Sequence, residues 1–340
     1  MSTRARMIFV AGNSRSGTTV LARVLGRHSA IHTLPELHYI EEIWDPVHPS
    51  SLDITPKKLL RLIQNADNHY FDALDARKYE ERASQLQSRL PPSANMHDAL
   101  QELMQIEYER TGKSIICEQT PKNVYFIDDL LAVFPHSQVI VITRDPRDVV
   151  YSQKHWWRTV FRIDSFPWRR LPWKVTALRW ARYHPRVTAS LWASGADHGQ
   201  KAARDPRVHQ IRFEDFVTDP RGCLAPFLSA LDLSYEAEML NVSGSNSSHV
   251  GSRSSNSGLD TSAVGRWRTG LTNSEAWVVE DVSFPIASEF GYVRESRKPT
   301  LAAFAAVYAI LPLKLLVAGL FQLSEGPQFL ARAVRRFRKT

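Results

Sequence analysis

The sequence predicts an α/β fold: a parallel β-sheet of about five strands flanked by helices, followed by a hydrophobic helical tail. Three observations lead there. Short apolar runs alternate along the chain with stretches of helical period. The first run, Ile8-Phe9-Val10-Ala11, enters a turn-rich segment, Gly12-Asn13-Ser14-Arg15-Ser16-Gly17, and Thr18-Thr19 then open a helix. Near the other end, residues 301–323 carry a single charge, Lys314, and are interrupted by Pro312. The reading divides the chain into a domain over residues 1–295 and a hydrophobic, then basic, segment over 296–340.

The elements follow in order. Val20, Leu21, Val24 and Leu25 share one face of the first helix. Residues 30–34 read as a second short strand, with helix or loop from Pro35. Between residues 55 and 110, Leu59, Leu60, Leu62 and Ile63 recur at helical spacing, as do Leu100, Leu103 and Ile106, and Pro91-Pro92-Ser93 is the break. Residues 114–118 form a third strand and 123–133 an amphipathic helix. Residues 138–143 form a fourth strand apolar enough to be buried on both faces. Pro146 sits in the first turn of a helix over 146–157, where its missing N–H costs nothing. Residues 159–174, rich in Arg, Trp and Pro, read as a surface lid or loop, and 175–195 as a helix. Residues 208–213 form the fifth strand, and another helix follows Asp219-Pro220. The Ser/Gly/Asn-rich residues 243–262 read as a segment that is mobile when no ligand is bound.

Composition bounds the function. Of 340 residues 43% are hydrophobic, an ordinary globular value, and 43 Lys and Arg against 35 Asp and Glu give a net charge of +8. That balance favours anionic small ligands or membrane surfaces, and no pattern points to a nucleic-acid polymer. Cys117 and Cys223 lie far apart, with neither a disulfide framework nor zinc-ligand spacing. The apolar run after the N-terminus is too short for a signal peptide, so a cytoplasmic location is expected. The run 301–323 is long enough to reach across a bilayer. Pro312 and Lys314 near its middle favour two half-helices in or on the cytoplasmic membrane face. Arg332, Arg335, Arg336, Arg338 and Lys339 beyond it suit anionic head groups. The competing reading is a buried or dimerising helix pair, which leaves a homo-oligomer open.

Strand, glycine-bearing loop and helix together present backbone N–H groups and a helix N-terminus to a phosphate. The spacing G-x-x-x-x-G is that of a P-loop, with one departure. Where a nucleoside triphosphatase has Lys-Ser/Thr this chain has Thr18-Thr19, and its cation, Arg15, lies inside the loop. The phosphate it holds is therefore not expected to be the γ-phosphate of ATP. A second motif, Arg144-Asp145-Pro146-Arg147-Asp148-Val149-Val150-Tyr151-Ser152, closes the fourth strand. Its guanidinium and its serine hydroxyl, two helical turns on, suit one phosphate monoester beside the first loop.

These two motifs, in this order, resemble the sulfotransferases that use 3′-phosphoadenosine 5′-phosphosulfate (PAPS). The resemblance extends over most of residues 5–295 through Thr120-Pro121, Phe134-Pro135, Phe213-Glu214-Asp215-Phe216 with Asp219-Pro220, and Val264-Gly265-Arg266-Trp267-Arg268. It implies that Arg15, Ser16, Gly17, Thr18 and Thr19 hold the 5′-phosphosulfate. Arg144 and Ser152 would hold the 3′-phosphate, while Arg266, Trp267 and Arg268 close over the nucleotide. The product would be adenosine 3′,5′-bisphosphate (PAP), with no metal required. By resemblance to the tyrosyl-protein and related bacterial branches Glu36 is the general base, with His38 as the fallback. Many relatives carry a lysine just before Thr-Pro, where this chain has Gln119. Lys122, or failing it Lys154, would then join Arg15 and Glu36 in the chemistry. The acceptor is a hydroxyl, best matched to a glycan or glycolipid, with Trp156, Trp157, Trp168, Trp173 and Trp180 as candidate lining. Two other readings stand beside this one: a P-loop kinase of a small molecule, and a membrane-attached nucleotide-binding protein without transfer activity.

Overall fold

The computed structural model describes residues 5–46, 49–67, 76–156, 177–178, 180–181, 183–242 and 258–322. Its centre is a parallel five-stranded sheet made of β1 (Arg6–Gly12), β2 (Ile31–Thr33), β3 (Ile115–Gln119), β4 (Gln138–Thr143) and β5 (Val208–Arg212), in the order β2-β3-β1-β4-β5. The predicted fold class is the observed one.

Alternation along the strands builds two apolar layers. Phe9 and Ala11 of β1, with Val139 and Val141 of β4, face one layer. There they meet Leu59, Leu62 and Ile63 of α2 (Pro56–Ala66), Leu86 of α3 (Ala76–Ser88), Leu100 and Leu103 of α4 (Met96–Thr111) and Leu130 of α5 (Ile127–Val133). Ile8, Val10, Ile140 and Ile142 face the other layer. Its helices are α1 (Thr18–Gly26), α8 (Phe213–Thr218) and α9 (Pro220–Ala230), which bring Leu21, Leu25, Phe216 and Phe227. The helices α6 (Pro146–Trp156), α7 (Pro185–Ala202) and α10 (Asn273–Ala287) make further clusters around Trp192, Val149 and Phe284, and around Val150, Ala189 and Val279.

Three expectations need correction. The helix expected over 123–133 is a 3-10 turn, Pro121–Tyr125, followed by α5, because Phe126 leaves helical geometry and Asn123 turns inward. The helix expected over 175–195 is interrupted. Residues 177, 178, 180 and 181 are helical, His184 is extended, and Pro185 starts α7, which runs on to Ala202. The helix α10 was not anticipated, although Thr272 and Glu275 form a capping box at its start. The lid expected over 159–174, most of the 243–262 segment and the basic tail lie outside the described residues.

The tail comprises α11 (Leu301–Ala309) and α12 (Leu311–Gln322), broken at Ile310 ahead of Pro312. Chain direction places the crevice of the sheet. The connection after β1 leads through α1 to β2 on one side, and that after β4 leads to β5 on the other. Ligands in such sheets bind where the two part, at the carboxyl ends of β1 and β4. Both sequence motifs begin there.

Candidate active site

The loop after β1 is shaped by close contacts that only its glycines tolerate. A Cβ on Gly12 would come within 2.4 Å of the Ile142 carbonyl oxygen, and one on Gly17 within 2.5 Å of the Phe213 ring. Gly17 and Arg15 both take left-handed backbone, with φ of 102° and 73°. That alternation curls successive amides around a concavity, an anion nest. The helix α1 then starts at Thr18 with no side chain capping it, so its first-turn N–H groups are left for an external acceptor.

The second motif closes on the first. From the end of β4, Arg144 Nη1 donates to the Arg15 carbonyl oxygen at 3.2 Å, and Nη2 donates to the Ala263 carbonyl oxygen at 2.6 Å. Arg15 Nε in turn donates to Ser152 Oγ at 3.0 Å, two turns into α6. The Arg144 guanidinium lies over the Phe213 ring at 4.5 Å and is nearly buried, and that burial pulls its pKa down against the pull of Asp148. Among the described residues, Arg144 Nε and Ser16 Oγ are buried without a protein partner. Two buried donors at the mouth of an anion nest fit a polyanionic ligand better than an apolar one.

Residues 264–270 are drawn over this corner by Asp148, which is fully buried. Its two carboxylate oxygens accept the Trp267 amide at 2.9 Å and the Gly265 amide at 2.7 Å. Trp267 itself is buried, with the guanidinium of Arg147 4.1 Å and that of Arg268 4.8 Å from the ring centre. Arg266 acts electrostatically on Arg144 and pairs with Asp260 at 2.8 Å. Arg268 instead reaches away to Glu295 at 2.5 Å. The structure thus gathers Arg15, Ser16, Gly17, Thr18, Arg144 and Ser152 directly, brings Arg266 near them, and turns Arg268 toward Glu295.

Glu36 follows β2 and faces the loop from its other side. It is half-buried, and burial raises its carboxyl pKa, opposed by the charges of Lys122 and Arg15. His38 Nε2 stands 3.3 Å from Glu36 Oε2, so the two base candidates are neighbours. Lys122 is exposed at the end of β3, within electrostatic reach of Glu36. Lys154, the alternative cation, pairs with Glu275 at 2.7 Å and donates to the Gly270 carbonyl oxygen. Of the tryptophans proposed as acceptor lining only Trp156 and Trp180 fall within the described residues, and Trp180 lies against the tail.

One participant was missed. Glu118, the penultimate residue of β3, is 1% exposed and is surrounded by donors. Its Oε1 accepts the Leu37 amide at 3.1 Å and the Thr120 hydroxyl, and its Oε2 accepts the Asn123 side-chain amide at 2.6 Å. Burial, partly offset by these bonds, pushes its pKa up to about 7. A charged residue within an apolar strand was the available signal.

The model of the sulfotransferase family matches residues 7–237 of this chain. In fold the chain is similar to the sulfotransferase domain from the curacin biosynthetic pathway, at 20% identity and a TM-score of 0.52 over 86% of this chain and 100% of that one. It is similar as well to the sulfotransferase domain of the Synechococcus PCC 7002 olefin synthase, at 18% identity and a TM-score of 0.53 over 86% and 98%. A protein of Aquifex aeolicus (strain VF5) without an assigned role is 26% identical over 147 residues, which is 43% of this chain and 16% of that protein's length.

Proposed function

The chain belongs to the sulfotransferase family, and on that premise we propose that it transfers a sulfuryl group from PAPS to a hydroxyl of a glycan or glycolipid. The observation that carries this reading is the contact chain from Arg144 to the Arg15 carbonyl and from Arg15 to Ser152, with Arg144 Nε and Ser16 Oγ buried beside it without partners. A P-loop that holds only one end of a triphosphate has no need of that second corner.

Arg15, Ser16, Gly17, Thr18 and Thr19 hold the 5′ end of the donor through backbone amides, hydroxyls and the guanidinium. Arg144 and Ser152 hold its 3′-phosphate, and Arg266, Trp267 and Arg268 belong to the segment that covers the nucleotide. When bound, PAPS supplies an electrophilic sulfur with PAP as its leaving group. As the acceptor oxygen bonds to sulfur, the bond from sulfur to the bridging oxygen breaks, and Glu36 takes the hydroxyl proton. Burial that raises Glu36 above an ordinary carboxylate makes it a better base, and the charges of Lys122 and Arg15 oppose that rise. Preorganised donors along the loop receive the charge that develops on the bridging oxygen, each such donor typically worth ~10²–10³ in rate.

Two further observations bear on alternatives. A small-molecule kinase would need a lysine where Thr18 stands. A binding protein without transfer draws on Gln119, whose Oε1 is buried without a partner among the described residues. Transfer of radiolabelled sulfate from PAPS into a lipid and polysaccharide extract separates the readings. The account expects labelled product from the wild-type protein and at least ~10²-fold less from Glu36→Gln with PAP binding retained. No labelled product from wild type would leave the binding-protein reading, and full turnover by Glu36→Gln would remove Glu36 from the base role.

The proposed partner of the tail is a membrane surface. Lys314 would be the one charge within Leu301–Leu320, yet its ammonium is turned inward, donating to the carbonyl oxygens of Trp180 at 3.1 Å and Tyr183 at 2.6 Å. The outward face of α12 is left to Leu313, Leu315, Leu316 and Leu320, each more than half exposed.

A further inference from the structure

We propose that Glu118 is a positioning residue that sets the location of the base Glu36, acting through Thr120 and the amides of Leu37 and His38. This inference rests on the reading of Glu36 as base.

The segment from Leu34 to His38 carries no regular structure of its own, so its conformation has to come from what it touches. Its backbone is tied down at four points. The Leu34 amide donates to the Cys117 carbonyl oxygen at 2.8 Å, and the Leu37 carbonyl oxygen accepts the Asn65 side-chain amide at 2.6 Å. The other two ties lead to Glu118. Leu37 N–H donates to Glu118 Oε1 directly, and His38 N–H donates at 3.2 Å to Thr120 Oγ1, whose hydroxyl donates to the same carboxylate oxygen. The two amides that follow Glu36 in sequence are therefore both governed by one buried side chain.

The strain in the segment shows that the ties do work. His38 takes left-handed backbone at φ 47°, a conformation that a non-glycine residue keeps only when its surroundings impose it. Without Glu118 nothing among the described residues holds the Leu37 amide or orients the Thr120 hydroxyl. Asn123 contributes the remaining bond to Oε2 from the 3-10 turn Pro121–Tyr125.

The arrangement couples two carboxyls. Glu36 faces Lys122, Arg15 and His38, and its negative charge raises the Glu118 pKa. Burial dominates the rise in the Glu118 pKa and the Glu36 charge adds to it, so Glu36→Gln should move the Glu118 titration to lower pH. A loss of rate with an unchanged KM for PAPS, recovered by a side chain that still accepts the Leu37 and Thr120 donors, is expected of a positioning residue and not of a merely structural one.

The test compares Glu118→Gln, Glu118→Ala and Thr120→Val with wild type and with Glu36→Gln. Radiolabelled sulfate transfer from PAPS into the lipid and polysaccharide extract gives the rate against pH. Selective ¹³C labelling of glutamate carboxyls gives the Glu118 titration in wild type and in Glu36→Gln, its signal identified by its loss in Glu118→Gln. Glu118→Ala should lose ~10²-fold in rate at saturating PAPS, the usual effect of a misplaced catalytic group, with KM for PAPS within about twofold. Glu118→Gln keeps a carbonyl to accept the Leu37 and Thr120 donors. It should recover at least ~10-fold of that loss. Wild-type rates in both Glu118 variants, a raised KM for PAPS in Glu118→Ala, or no recovery in Glu118→Gln would overturn the proposal while leaving the base role intact. Should Glu118→Ala not fold, Thr120→Val, which cuts the link to the His38 amide, decides by the same rate and KM readout. Full turnover by Glu36→Gln would sink both readings together.

Discussion

Arg144 carries more of the site than any other single side chain. Its guanidinium fork meets two carbonyl oxygens, Arg15 and Ala263, and so joins the loop after β1, the end of β4 and the segment that crosses the nucleotide corner. Lysine is a point donor and cannot span both. Arg144→Lys should weaken PAP binding ~10- to 100-fold by calorimetry. Affinity within twofold of wild type would show that the fork is dispensable. At this scale the sequence was informative about chemistry and silent about partners. That Arg15, Arg144 and Ser152 lie together was expected from a cation within a glycine loop and an arginine ending a buried strand, and the three are in contact. Arg268 was grouped with Arg266 and Trp267 by the resemblance of residues 264–268 to a nucleotide-covering segment, and nothing in the sequence announced Glu295, 27 residues on, as its partner. Glu118 escaped notice although its place in an apolar strand marked it, because the donors that surround it come from Leu37, Thr120 and Asn123, which its own strand does not reveal.

Elements were legible where one period dominates. All five strands and the helices α1, α2 and α4 follow from apolar spacing, because each buries a single continuous face. The errors fall where a proline or a polar contact overrides that pattern. Pro185 resets the helix before α7, and the inward turn of Asn123 toward Glu118 converts a helix start into a 3-10 turn. The segment 264–270 shows the same rule at a functional place. It has one short turn, Trp267–Gly270, and is held to α6 by the carboxylate of Asp148 at two consecutive points. Each hydrogen bond from an amide to a buried charged acceptor contributes about 1.5–3 kcal/mol. Asp148→Asn keeps one acceptor of the two and should speed hydrogen exchange at the Gly265 and Trp267 amides by ~10-fold or more, with a parallel loss of PAP affinity. Unchanged exchange would mean that other contacts hold the segment.

For the molecule as a whole, the sheet supplies the reason that two motifs more than a hundred residues apart become one site. Parallel order β2-β3-β1-β4-β5 sets the loops after β1 and β4 side by side at the point where the connections diverge. The same body carries an apolar appendage whose only charge is folded inward against Trp180 and Tyr183. Cosedimentation with vesicles containing anionic phospholipid should retain the full chain, and Leu313→Asp with Leu316→Asp should release it by at least ~10-fold. A wild-type chain that stays in the supernatant, or elutes as a dimer that the substitutions dissolve, would assign the face to a second copy instead. The central claim concerns the nucleotide, and calorimetry with PAP tests it most directly. The account predicts PAP binding without Mg²⁺, abolished or strongly weakened in Arg144→Ala, with Mg·ATP at least ~10²-fold weaker. Preference for Mg·ATP over PAP would contradict it.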